Sequence, residues 1–207
     1  MPLLGVGAPS LSVRYSTSFP NVENPISESG NWTNGGATGI DWRNCRVSQA
    51  GRCIGDQDHT TPNYYSDSTA VLSGTWANNQ QVEAVVYRVG GNTNEVELRL
   101  RTIITANSIT GYEILFNHEG MQIVRWNGPV ADFTVIGSGG TGGVDGDIVK
   151  ASMIGTTIRA YVNGTEVASV TDATYASGQP GIGFFQSDSD ISNNLNFGFK
   201  SFLAMEL

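Results

Sequence analysis

The sequence predicts an all-β domain built as a two-sheet antiparallel sandwich or jelly roll. Three observations carry that prediction. Apolar and polar residues alternate with period two along most of the chain, which is the signature of strands that bury one face. The 26 glycines among 207 residues fall between the apolar runs, as turn punctuation does. No stretch repeats its apolar residues at helical spacing, so nothing supplies the crossovers that parallel strands need. About a dozen short strands divided by turns suit a sandwich. The length suits one such domain, residues 1–207.

The elements follow in order. Leu11, Val13 and Tyr15 alternate with Ser12, Arg14 and Ser16 in a first strand. A Gly/Asn/Ser-rich stretch with Trp32 in it runs over residues 20–39. Residues 40–47 and 63–72 read as short strands around an irregular loop that holds Cys45 and Cys53. Residues 82–88 and 95–102 are strands, joined by the turn Gly90-Gly91-Asn92. Residues 111–116, 121–126 and 132–136 continue the meander up to a glycine-rich break at 137–146. Residues 147–153, 157–162 and 165–170 are strands, the last two joined by Asn163-Gly164, a two-residue type I′ hairpin turn. Residues 181–186 and 194–205 finish the sheet, with Leu195, Phe197 and Phe199 on one face of the last strand. On the central strands one face gathers Val82, Ala84, Val86, Val96, Leu98, Leu100, Tyr112, Ile114, Phe116, Met121 and Ile123, a core.

Charge removes some partners. The net charge of -8 repels a phosphate backbone, so nucleic acid is not expected, and neither is an anionic membrane surface. No window approaches the roughly 20 apolar residues of a membrane helix. The opening Met1-Pro2-Leu3-Leu4-Gly5-Val6-Gly7-Ala8 lacks the basic start of a signal peptide. The expected location is extracellular, with a signal removed, or a virion surface, reached by lysis without one. The two cysteines, Cys45 and Cys53, suit either a disulfide closing a small loop or a pair of buried thiols.

The order of features resembles a known family. An early strand leads into a Gly/Asn loop ending at Trp32, and then a long meander. Ile158-Arg159-Ala160-Tyr161-Val162-Asn163-Gly164 leads through Asp172 to Ser177-Gly178-Gln179-Pro180-Gly181-Ile182-Gly183-Phe184, and a Phe-rich strand closes the chain. This is similar to the concanavalin-A-like lectin/glucanase superfamily, including its laminin-G-like members. The resemblance implies a jelly-roll sandwich. Because the superfamily holds lectins, glycosidases, lyases, adhesion domains and virion proteins, it leaves function to the site.

Catalytic patterns of such folds are not met. The E-x-D-x-x-E of family 16 glucanases is absent. Glu83, Glu97 and Glu113 could share a face as an acid pair from neighbouring strands, but they read more simply as solvent-facing residues balanced by Arg99 and Arg101. Glu95-Val96-Glu97-Leu98-Arg99 and Gln122-Ile123-Val124 match alginate-lyase patterns in part, with Glu95 in place of an arginine and Val124 in place of the histidine base. His118 reads as a turn residue. No cofactor is expected. Calcium stays open at three acidic spots, Asp56/Asp58 beside His59, Asp145/Asp147 and Asp188/Asp190, none of which matches a calcium loop.

Sugar recognition needs aromatic platforms with polar neighbours. The face opposite the core collects Glu83, Tyr87, Glu97, Arg99, Arg101, Glu113, Gln122 and Trp126. Tyr87, Arg99, Arg101, Glu113 and Trp126 are the candidate ligand-binding residues, on a face expected to be wet because Arg99 and Arg101 carry charge. The function expected is a non-catalytic, lectin-like module that binds carbohydrate or forms part of a virion or extracellular surface. The alternatives are a structural virion subunit without glycan binding and a polysaccharide hydrolase or lyase. Expected partners are a glycan or other surface subunits, with a homo-oligomer open.

Overall fold

A computed structural model describes residues 12–38, 42–57, 67–91, 93–140, 142–187 and 191–207. Leu11, the start of the strand expected at 40–47, residues 63–66, Asn92, Asp58, His59, Asp188 and Asp190 lie outside them. The strands are β1 (Ser12–Thr17), β2 (Trp32–Asn34), β3 (Cys45–Gln49), β4 (Arg52–Gly55), β5 (Asp67–Leu72), β6 (Gln80–Arg88), β7 (Glu95–Thr105) and β8 (Ser108–Phe116). They continue as β9 (Met121–Gly128), β10 (Phe133–Gly139), β11 (Ile148–Ile154), β12 (Thr157–Val162), β13 (Thr165–Thr171), β14 (Gln179–Phe185) and β15 (Phe197–Glu206). The helical content of the described residues is one four-residue turn at Gly35–Thr38 and a 3-10 turn at Ile191–Asn196. No helix among the described residues is long and apolar enough to cross a membrane.

Two antiparallel sheets face each other. One has eight strands in the order β13-β12-β11-β6-β15-β4-β3, with β1 also on β15; the other has seven in the order β10-β9-β8-β7-β14-β5-β2. The core expected from alternation is the core observed: Val82, Ala84 and Val86 from one sheet meet Val96, Leu98, Leu100, Tyr112, Ile114, Phe116, Met121 and Ile123 from the other, all buried. Burial of this kind contributes about 25 cal/mol per Å² of apolar surface. Asn163 and Gly164 take φ of 50° and 81°, the positive pair that a type I′ turn demands, and β12 and β13 pair on either side of them.

Three sequence expectations are corrected. Residues 90–92 do not close a hairpin: β6 pairs with β11 and β15, whereas β7 pairs with β8 and β14 in the opposite sheet. The chain crosses between layers there. Leu195 does not share a face with Phe197 and Phe199; it lies in the 3-10 turn, 48% exposed, while the two phenylalanines are buried. Glu83 and Tyr87, on β6, belong to the other sheet from Arg99 and Glu113, so the eight-residue polar face does not exist as one surface. Cys45 and Cys53 are free, buried thiols, and burial first, then their neighbours' charge, pushes both thiol pKa values up.

Candidate functional site: an acidic, aromatic cavity on the seven-stranded sheet

The outer face of the seven-stranded sheet is built by alternation. Along β7, Val96, Leu98 and Leu100 go to the core, so Glu95, Glu97 and Arg99 take the opposite face. The β8 register sets Glu113 opposite Arg99, and the β9 register sets Val124 opposite Glu113 and Trp126 opposite Gly111. On the other side, β14 and β5 bring in Asp67 opposite Phe185, which is opposite Glu95.

That face is not wet. Arg99 is 0% and Trp126 2% exposed, and Glu97 and Glu113 are buried with them. A second apolar cluster covers the sheet here: Trp42, Ile109, Leu115, Val124 and Trp126. Trp42 sits against Trp126 with ring centroids 5.7 Å apart, and Phe133 of β10 meets the same indole at 5.4 Å. The expectation of a solvated face fails because alternation says which side a residue points to, not what covers that side. The charge of Arg99 is answered from inside. Its Nη1 lies 2.8 Å from Glu113 Oε2, and its Nη2 bonds Glu97 Oε2 and lies 3.3 Å from Asp67 Oδ1. The indole Nε1 of Trp126 donates to Glu113 Oε2 at 2.6 Å, and the guanidinium stands 5.8 Å from the indole ring. Gly183 makes room for this network: a Cβ there would collide with Glu97 Oε2 and come within 2.8 Å of Arg99 Nη2.

Of the five candidate residues, the structure brings together Arg99, Glu113 and Trp126 and separates the other two. Tyr87 lies on the eight-stranded sheet, where the Arg52 guanidinium stacks 3.7 Å from its ring centroid. Arg101 sits in a bulge of β7 with φ of 46°, where the pairing to β8 slips between Leu100 and Ile103. The bulge turns its side chain to the rim. There it donates to the backbone carbonyls of Asn78, Tyr175 and Gly155 at 2.7, 3.0 and 2.7 Å.

Beside the Arg99 network a cavity of about 130 Å³ opens. Asp67, Glu95, Glu113 and Gln122 line it with carboxyl and amide groups, and Trp126, Phe133, Phe185, Leu115 and Val124 line it with apolar ones. Sequence reasoning missed Asp67, Phe133 and Phe185. Glu95 and Phe133 follow from the alternation that found Arg99 and Trp126; Asp67 falls in the strand read over residues 63–72, but no local pattern tells that β5 lies beside β14 and so near Glu95.

Two of the lining carboxyls are pushed towards the protonated form. Burial, then the Glu113 and Asp67 charges, raise Glu95 to about 9 against the pull of Arg99 and Arg88. Burial raises Asp67 to about 7, with Arg99 opposing, and burial also raises Glu97. Burial opposes charge on Arg99, but Glu97, Glu113 and Asp67 outweigh it and keep the guanidinium ionised. Asp67, Glu97 and Glu113 place carboxylate oxygens within 4.8 Å of one another, as metal ligands would. A calcium ion takes six to eight oxygens, and the guanidinium already occupies the place where their charge converges, so this cluster does not fit one. Among the acidic spots, Asp145 pairs with Lys200 at 2.9 Å and Asp147 accepts from Val144 N and Asn163 Nδ2.

Comparison of the sequence with family models and with curated proteins finds no match. Solved structures do match in shape. A carbohydrate-binding module, CBM66 of Bacillus subtilis, superimposes with a TM-score of 0.60 at 16% identity over 84% of this chain and 94% of its own. A Bacillus subtilis protein of unknown function with a galectin-like fold gives 0.65 at 10% identity, over 94% and 96%. A β-agarase A in complex with oligoagarose gives 0.59 at 11% identity, over 95% and 93%. With two facing antiparallel sheets and these neighbours, the chain has a jelly-roll sandwich fold, the shape it shares with these structures.

Proposed function

We propose that this chain is a carbohydrate-binding β-sandwich that engages glycan at the cavity on the outer face of its seven-stranded sheet. The observation that carries the reading is the lining of that cavity, where aromatic rings stand beside carboxyl and amide groups. Rings pack on the apolar face of a sugar while the polar groups bond its hydroxyls. Phe133, 45% exposed, is the accessible platform. Trp126, buried and bonded to Glu113, is the wall behind it. The carbohydrate-binding modules of the same fold lend the reading weight.

The binding is non-catalytic. Hydrolysis needs a free carboxylate facing an acid, and Glu113 Oε2 is engaged by both Arg99 and Trp126. The setting we propose is an extracellular or virion surface. A second reading, subunit contact, is favoured by β10, an edge strand with Phe133 and Val135 exposed; a native size measurement of a stable dimer or larger particle would support it. A glycan array followed by titration calorimetry tests the main reading. Phe133→Ala is expected to weaken binding by about tenfold or more with an unchanged circular dichroism spectrum. Release of reducing ends or unsaturated products would overturn the non-catalytic reading.

A further inference from the structure

The cavity is lined by more carboxyl groups than it has cations to pair with them. Three acidic side chains, Asp67, Glu95 and Glu113, line it, a fourth, Glu97, is buried against Arg99, and the two cations that act on Glu95, Arg99 and Arg88, are buried outside the lining. None of the three ion pairs of Arg99 reaches Glu95. Glu97 is fully buried, and its Oε1 has no hydrogen-bond partner. The two other members of its cluster, Asp67 and Glu113, line the cavity. Among the described residues, no lysine, arginine or histidine lines it. The walls add Trp126 and Phe133, whose ring faces attract cations.

We infer that this cavity selects a glycan unit bearing a free, protonated amino group, with the ammonium lodged among Asp67, Glu95 and Glu113 and the sugar ring against Phe133. The inference rests on the carbohydrate-binding reading and names the class of sugar. An ammonium supplies three donors and one positive charge, which is what the buried carboxyl groups lack. Uronic or sulfated units bring negative charge to a cavity lined by carboxyl groups, where it keeps them protonated and finds no cation. A neutral or N-acetylated unit leaves Glu95 and Asp67 protonated and gains only its hydroxyl bonds and ring contact. The volume, about 130 Å³, is below the roughly 300–1,000 Å³ that encloses a drug-sized ligand, so one terminal unit enters rather than a chain.

The protons on these carboxyls are the handle for a test. Glu95 holds its proton up to about 9 and Asp67 up to about 7. An arriving ammonium faces Glu95 from β7, Asp67 from β5 and Glu113 from β8, with Arg99 of β7 and Arg88 of β6 as the opposing charges on Glu95, and it favours the ionised carboxyls. Binding therefore expels protons. Titration calorimetry at about pH 6, where an amine of α-amino type, pKa about 7.7–8.0, is charged, compares a glucosamine oligosaccharide with its N-acetylated counterpart. Buffers of different ionisation heat report the protons released. The amine form is expected to bind at least tenfold more tightly and to release protons, and the N-acetyl form to release none. Glu95→Gln replaces a protonated carboxyl by an amide of similar shape. It is expected to bring the two ligands within about twofold and to reduce proton release, without lowering Tm. Equal binding of both ligands, lost together in Phe133→Ala, rejects the amine preference and leaves glycan binding standing. Binding of neither, nor of any glycan on the array, rejects both.

Discussion

At the residue scale the decisive side chain is Arg99. A fully buried guanidinium is tolerated because three carboxylates surround it. Removing one member of such a group leaves uncompensated charge, which costs more than the group contributes when intact. Arg99→Met is expected to destabilise the fold by about 3–5 kcal/mol in urea unfolding at neutral pH. Part of the loss should return in mild acid, where Asp67, raised to about 7, takes up its proton. Arg99→Lys should fall between, since an ammonium cannot reproduce the planar fork that reaches Glu113 with one nitrogen and Glu97 and Asp67 with the other. The sequence placed Arg99, Glu113 and Trp126 on one face correctly and misjudged its wetness. Trp42, which helps cover that face, comes from a segment distant in sequence. No local pattern announces that a tryptophan will fold back over a sheet.

At the scale of elements, alternation was legible wherever a strand ran unbroken. The core of β6, β7, β8 and β9 and the turn at Asn163-Gly164 follow from it. It failed at two kinds of place. The bulge in β7 breaks the parity between Arg99 and Arg101, and so sends one arginine to the carboxylates and the other to the rim. The link from β6 to β7 changes sheet, and a glycine turn reads the same whether it joins neighbours or crosses layers. Arg101 in its bulge pins the chain near residues 78, 155 and 175 through three carbonyls. Arg101→Gln is expected to lower Tm, because charge-assisted bonds of about 1.5–3 kcal/mol each are lost. Glycan affinity should not move, because Arg101 does not line the cavity. A matching loss of affinity would show that the rim, not the cavity, takes the ligand.

For the whole molecule, the trapped protons set how stability follows pH. Asp67 at about 7 and Glu95 at about 9 lie above their unfolded values of about 3.9 and 4.3. Between those limits the folded chain binds protons that the unfolded chain has released. The stabilisation is complete below the unfolded values and is lost as pH rises through about 7 and then about 9. Asp172 runs the other way. Burial alone would raise it, but bonds from Tyr112, Thr174 and Arg125 hold it near 2, so its contribution disappears as pH falls from about 4 towards 2. Tm is therefore expected to peak in the mildly acidic range and to decline steadily into alkali. Glu95→Gln should flatten the alkaline limb, and an unaltered limb in that variant would exclude Glu95 as its source.

The place of β15 carries a consequence for biosynthesis. This strand, the last in chain order, lies between β6 and β4, and it also holds β1. Until residues 197–206 leave the ribosome, β3 with β4 and β1 have no sheet to join, and β6 keeps a bare edge. The sandwich therefore assembles late, from contacts between strands far apart in sequence, β1 and β15 among them, a slow route with an aggregation-prone interval. Nascent chains stalled before residue 197 are expected to remain open to protease along β1, β3 and β4. Chains released past residue 206 should close and resist.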